Sequence, residues 1–259
     1  MEKRKILWIT PGGTNDFDLP ILKYLEPHVG PKFAIETVSM ERGPHHLEHQ
    51  YYCALAVPDI LHRIKLAEKE GYAAAIIGGF YDLGLWEARE ITEKMVVVAP
   101  GESCMHIATT LGRSFSIIVG RKLWIPKIAE NVSKYGFTEK LASFKTIDMG
   151  VLEFQVSKEE TLKRLLASAR EAIEKDLAEV IILGCTIEFG FFRDLQEQLS
   201  IPVIDPVLAT YKFAEFLVDL QDHFDWSHSK VLSYQTPSSK EITKWALAEQ
   251  YSFDKTLWS

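Results

Sequence analysis

Cysteine is scarce. Cys53, Cys104 and Cys185 are the three in 259 residues, odd in number and widely spaced. No CxxC pair occurs, so neither a zinc ribbon nor a disulfide framework is indicated. A reducing, cytoplasmic compartment is the expectation. No apolar run approaches the ~20 residues needed to cross a bilayer, so no membrane partner is expected. Met1-Glu2-Lys3-Arg4-Lys5 leads straight into a short apolar run that reads as a strand, without the longer apolar stretch and cleavage site of a signal peptide. Positive charge is in deficit, with 29 Lys and Arg against 36 Asp and Glu and a net charge of −7. No basic stripe appears, which disfavours nucleic acid as a partner. The nucleotide fingerprints GxGxxG and GxxxxGK[ST] are both absent.

The chain is rich in material for a core. Its hydrophobic fraction is 47% and its charged fraction 25%, which fits a folded globular protein rather than a disordered one. Short runs rich in β-branched residues predict strands at Ile6–Thr10, Ala34–Val38, Ala73–Ile77, Met95–Ala99, Phe115–Val119, Phe144–Asp148, Val180–Leu183 and Pro202–Asp205. Helical periods lie between them, as at Gln50–Lys69, Ser103–Leu111, Ile125–Tyr135 and Lys158–Lys175. Strict alternation argues for parallel sheets covered on both faces, an α/β fold.

The sequence also echoes itself. Ala73–Gly79 resembles Ala178–Cys185, MVVVAP at Met95–Pro100 resembles IPVIDP at Ile201–Pro206, and Ile6–Gly12 pairs with Ser116–Gly120. The common offset, on the order of 105–110 residues, predicts two similar parallel-sheet α/β halves related by pseudo-twofold symmetry, with the active-site cleft between them. The expected division is residues 1–99 with 206–220, residues 100–205, and an extension at 221–259. Gly79 and Cys185 then occupy equivalent strand ends, where open α/β sheets bind ligands. A helix is expected from Asp205 to about Leu220. The extension carries Trp226, Trp245 and Trp258 and a helical pattern near Ile242–Gln250, and is expected to pack on the body or on a neighbouring subunit.

Cys185 carries the sharpest chemical signal. It follows a strand and is expected to open a helix, whose dipole and unpaired N–H groups favour the reactive thiolate. Its bland alternative is a small buried hydrophobe. Thr186 could cap that helix or donate to an oxyanion, and Glu188 could orient the thiol or serve as a first-turn acid.

Several segments together resemble the aspartate/glutamate/hydantoin racemase superfamily, and within it the hydantoin racemases. They are Arg42-Gly43-Pro44 with Glu48 and Ala54–Pro58, Phe80–Leu85 with Ala88-Arg89-Glu90, and Pro100–His106. Ile125-Pro126 with Glu130-Asn131-Val132 and Tyr135-Gly136, Leu183-Gly184-Cys185 and Ile201–Asp205 complete the set. The resemblance covers about Lys5 to Leu220. It implies proton transfer, without metal or other cofactor, at a carbon next to a carbonyl of a small-molecule substrate. Two cysteines on opposite faces share that work in the family. Relatives commonly form dimers or larger closed assemblies, so a homo-oligomer is expected. Cys185 matches the second cysteine, and Gly79 occupies the position of the first.

That glycine puts two-thiol racemisation in doubt. The aryl malonate decarboxylases of the same superfamily also keep only the second cysteine, which protonates the enediolate left by loss of carbon dioxide. A non-catalytic binding protein is a third alternative. If another group replaces the thiol, Tyr81 and Asp82 are close in sequence, and Glu102, Cys104 and His106 follow the next strand; Cys104, inside a helical pattern, reads as structural. Thr10–Asn15 forms a turn in which Pro11, Gly12, Gly13 and Thr14 would hold a carboxylate or ring carbonyl, with Gly120-Arg121-Lys122 as its echo. Gly79, Phe80, Glu102, Gly120 and Thr186 complete the expected substrate-binding set around Cys185. Thr14, Thr186 and the N–H groups near Gly12, Gly13 and Gly79 would hold a developing enolate oxygen. His45-His46-Leu47-Glu48-His49 has no complementary ligand set for a metal.

Overall fold

Eight short parallel strands divide into two sheets of the same internal order. The structure, a computed structural model, describes residues 3–258; Met1, Glu2 and Ser259, the outermost residues of the N-terminal segment and of the extension, lie outside the described residues. The first sheet runs β2-β1-β3-β4, from β1 (Arg4–Thr10), β2 (Phe33–Ser39), β3 (Ala74–Ile77) and β4 (Val96–Val98). The second runs β6-β5-β7-β8, from β5 (Phe115–Val119), β6 (Leu141–Thr146), β7 (Val180–Leu183) and β8 (Val203–Ile204). Their helices are α1 (Asp18–Leu25), α2 (Gln50–Lys69), α3 (Leu85–Ile91), α4 (Pro100–Leu111), α5 (Ile125–Lys134), α6 (Lys158–Asp176), α7 (Phe192–Leu199) and α8 (Pro206–Phe224). The extension carries α9 (Ser239–Lys244) and α10 (Leu247–Tyr251).

The central strands are buried end to end because helices cover both faces. Ile6, Trp8 and Ile76 are fully buried towards one side of the first sheet, and Leu7, Ala75 and Ile77 towards the other. Each half lends a helix to its partner. Cys104, Met105 and Ala108 of α4, which follows the first sheet, join the core around β5 and β7. Val207, Tyr211, Ala214 and Val218 of α8, which follows the second sheet, pack on Ile6, Trp8 and Ile76 of the first.

Paired polar contacts fix the exchange. Asp205 caps α8, accepting from the Val207 and Leu208 amides, and its other oxygen receives the Tyr24 hydroxyl at 2.8 Å. On the other side, Asp82 accepts from the Gly101 and Glu102 amides at the start of α4 and from the Tyr135 hydroxyl at 2.8 Å. Thus an aspartate closes the N-terminus of each exchanged helix, and a tyrosine from the opposite flank completes each.

Three expectations need correction. The sixth strand is Leu141–Thr146 rather than Phe144–Asp148, because its register follows β5 from Phe115, and Asp148 turns into left-handed backbone at φ 58°. The helix after Asp205 runs on past Leu220 to Phe224 and stops at Asp225, where φ is 57°. The pattern at Ile242–Gln250 breaks into α9 and α10 because Ala246 adopts φ 52°.

The extension lies along the first half of its own chain. His228 Nε2 accepts the Val97 N–H of edge strand β4 at 3.1 Å. Lys230 donates to the carbonyls of Arg89 and Glu90, and Thr236 donates to the Glu90 carbonyl at 2.9 Å. Phe253 stacks on His62 of α2 at 4.4 Å between ring centroids. Covering the free side of β4 in this way removes an exposed sheet edge. Trp226 and Trp245 remain exposed. Among the described residues no helix is long and apolar enough to cross a membrane.

Candidate active site

The two strand ends predicted to be equivalent face one cleft. Gly78 and Gly184 leave β3 and β7 in the same way, donating to the carbonyls of Ile9 and Ile118, each at 2.7 Å. Neither position admits a side chain. A Cβ on Gly78 would stand 2.4 Å from Trp8 Nε1, and one on Gly184 would stand 2.6 Å from the Ile118 carbonyl. The next residues, Gly79 and Cys185, line the cleft between the halves. Its volume is ≈ 100 Å³. Phe17, Leu47, Phe80, Leu83, Trp124 and Ile187 supply most of its apolar wall, and a space of this size and character suits a small ring.

Cys185 is partly exposed and stands before a single 3-10 turn, Thr186–Glu188, not before an α-helix. Three residues generate little macrodipole, so the expected stabilisation of a thiolate is weak. Burial instead pushes the Cys185 thiol well above its ordinary value, and the neighbouring Glu188 adds to the shift. The Ile187 and Glu188 amides act in the opposite direction. That direction favours the protonated thiol over the thiolate.

Glu188 is fully buried, and neither carboxyl oxygen has a hydrogen-bond partner among the described residues. Burial raises its pKa well above the carboxylate range, with the Cys185 and Gly184 amides offsetting part of the rise. That shift favours the neutral carboxyl over a first-turn charge.

The predicted binding set divides. Pro11, Gly12, Thr14, Gly79, Phe80 and Thr186 line the cleft with Cys185, whereas Gly13, Glu102 and Gly120 do not. Glu102 forms an ion pair with buried Arg89, beside Tyr234 of the extension. Gly13 is wedged against Gly43, where a Cβ would stand 2.4 Å from the carbonyl oxygen. Gly120 is closed in by Met149 and Trp124, both 2.5 Å from such an atom.

The expected donors for an enolate oxygen are largely engaged. Thr186 Oγ1 donates to the Gly78 carbonyl at 3.0 Å and Thr14 Oγ1 to Asp16 at 2.7 Å. The Gly13 N–H donates to Pro44 at 2.9 Å and the Gly79 N–H to Ile77 at 2.8 Å. Arg121, expected to attract an anion, pairs at 3.1 Å with buried Glu48, whose other oxygen receives the Val151 N–H at 3.1 Å. This clasp joins the two halves at the cleft, and no sequence motif announced it.

The suggested substitutes for a first thiol also separate. Asp82 is buried as the cap of α4, with a pKa pushed up to about 7 chiefly by burial. Cys104 is fully buried in the core of α4, and its thiol is pushed up by that burial. Tyr81 alone among them faces the cleft. His45 and His46 also line it, although the sequence marked them only through a discounted metal pattern. Among the described residues no three His, Cys, Asp or Glu side chains gather as a metal site.

A solvent-accessible cysteine between two pseudo-symmetric parallel α/β halves defines a class of proteins built for chemistry at that junction. The family profile of Asp/Glu/hydantoin racemase matches residues 6–214, and the chain belongs to that family of isomerases. It is 36% identical over 207 residues to a hydantoin racemase of Pseudomonas sp. (strain NS671), covering 80% of this chain and 81% of that protein. Its fold superimposes on allantoin racemase from Klebsiella pneumoniae with a TM-score of 0.84 and 26% identity, covering 91% and 94% of the two chains. Arylmalonate decarboxylase shares the fold, with a TM-score of 0.56 and 15% identity over 83% of this chain and 92% of that one.

Proposed function

We propose that the protein transfers protons at the carbon next to a carbonyl of a small hydantoin-like ring, without a cofactor, using Cys185. The carrying observation is that Cys185 is the cysteine lining the cleft between the two halves. Similarity to hydantoin and allantoin racemases supports a five-membered ring bearing one hydrogen on its stereocentre. The apolar wall would exclude water from the developing enolate and strengthen its electrostatic contacts. In this reading residues 1–99 with 206–220 and residues 100–205 close on the substrate from opposite sides. The setting is cytoplasmic, and exposed Trp226 and Trp245 offer surface for a homo-oligomer.

The upward shift of the Cys185 thiol, with Gly79 in place of a second cysteine, favours a second reading, in which the thiol serves only as a donor to an enediolate formed by decarboxylation. One acid is sufficient for that reaction, and Gly79 then needs no counterpart. Incubation with 5-substituted hydantoins, allantoin and aryl malonates in deuterated buffer separates the readings. Deuterium at C5 of a recovered hydantoin supports the first reading, carbon dioxide from a malonate supports the second, and neither product from any substrate contradicts both.

A further inference from the structure

Gly79 leaves the wall of the cleft on the side of the first half without a thiol, and the nearest cleft-facing ionisable side chain on that strand-end turn is Tyr81. We propose that Tyr81 is the second proton-transfer residue, acting on the substrate face opposite Cys185. The proposal rests on the reading of Cys185 given above.

The turn from Gly79 to Asp82 is held firmly. The Asp82 N–H donates to the Gly79 carbonyl at 3.0 Å, and Asp82 itself, at φ 53°, is anchored to α4 and Tyr135. From the second half, Asn131 Nδ2 donates to the Tyr81 carbonyl at 2.8 Å. The Tyr81 ring packs against the apolar cores of both halves, which places it at their junction. Its hydroxyl makes no hydrogen bond among the described residues, although it lines the cleft. Cys53, Cys185 and Glu48 are the ionisable groups that act on it electrostatically, and with burial they keep the phenol protonated. Cys53 is turned away, its thiol donating to the Leu47 carbonyl at 3.3 Å. His46 also reaches the cleft, but its Nδ1 is occupied by the Glu48 N–H and its ring lies edge-on to Tyr52. A half-buried phenol with no hydrogen-bond partner among the described residues, lining the same cleft as the Cys185 thiol, is the pairing that two-face proton transfer needs.

The step balances with these groups alone. Cys185, as thiolate, takes the proton from the substrate carbon; the C–H pair moves into the enolate and an S–H bond forms. The Tyr81 O–H bond breaks, its proton adds to the opposite face as a new C–H bond, and phenolate remains. Solvent then carries a proton from the thiol to the phenolate and restores the starting pair. The opposite enantiomer runs the sequence from phenolate to thiol. The reacting form carries one proton between the two groups, one fewer than the free site.

The test is Tyr81→Phe with a single enantiomer of a 5-substituted hydantoin in deuterated buffer, following inversion by optical rotation and exchange by mass spectrometry. Because the hydroxyl has no hydrogen-bond partner among the described residues, the variant keeps its packing, and surviving exchange shows that it has folded. The expected result is inversion lowered at least ~100-fold, the loss of one positioned acid–base group, with exchange at the Cys185 face persisting as retention of configuration. Unchanged inversion in Tyr81→Phe overturns the assignment, as does wild-type protein that exchanges without inverting. Wild-type protein that does neither overturns the reading of Cys185 instead.

Discussion

The Thr186 hydroxyl, one residue beyond the cysteine in the second half, donates to the Gly78 carbonyl, one residue before the glycine in the first half, at 3.0 Å. Both groups are buried, so the bond ties the two strand ends across the cleft floor. Thr186→Val should leave the carbonyl unsatisfied and destabilise the fold by ~1–3 kcal/mol in urea unfolding. Thr186→Ser should recover most of the loss. Equal stability of the Val variant would remove this bond from the structural account.

Gly79 is open to substitution where its neighbour Gly78 is not. A Cβ on Gly79 would stand 3.1 Å from Pro11 Cγ and 4.0 Å from Pro11 Cδ, contacts that a small change of ring pucker relieves. Gly79→Cys should therefore fold. Introduced together with Tyr81→Phe, it should restore inversion of a 5-substituted hydantoin, at a low rate because the turn is adapted to glycine. No recovery of inversion in a folded double variant would show that position 79 does not face the substrate.

Much of this arrangement was legible in the sequence. Alternating apolar runs marked all eight strands, and the repeated approach to Gly79 and Cys185 located the cleft from both sides. The errors came from contacts that no local pattern carries. Glu102 looked like a cleft residue because it follows a strand, yet the ion pair with Arg89 draws it away. Gly13 and Gly120 looked like anion cradles, yet tertiary packing closes both. The helix expected at Cys185 is one 3-10 turn, which gives the thiol little dipole to offset its burial. The Glu48–Arg121 clasp joins residues far apart in the chain, beyond the reach of any spacing rule.

Glu188 makes a prediction about pH. Its folded pKa is raised, so it opposes folding increasingly as pH rises above the ordinary carboxyl value of ~4.3 towards the folded value. Glu188→Gln cannot ionise and should gain stability relative to wild type at pH 8 compared with pH 4, read from denaturation midpoints. A difference between the two proteins that is independent of pH would contradict a buried neutral acid.

His228 responds in the opposite direction. Burial, aided by Arg89, pushes its pKa down to about 4, and the neutral ring accepts the Val97 N–H. Its contribution is complete above the ordinary histidine value of ~6.5 and is lost as pH falls towards 4. The maximum loss is on the order of 3 kcal/mol. His228→Ala should be less stable than wild type at pH 7.5, and the gap should narrow by pH 4.5. Proteolysis within the extension should accelerate in wild type over the same interval. A constant gap would remove His228 from the attachment of the extension.

The most direct measurement is the rate of deuterium incorporation at C5 of a 5-substituted hydantoin, compared between wild type and Cys185→Ala from pH 6 to pH 9. Because burial keeps the thiol protonated, the wild-type rate should climb with pH as the thiolate fraction grows. Cys185→Ala should lose about three orders of magnitude at every pH, consistent with loss of a positioned acid–base group. Exchange at the wild-type rate in Cys185→Ala would contradict the central claim that this cysteine moves the proton.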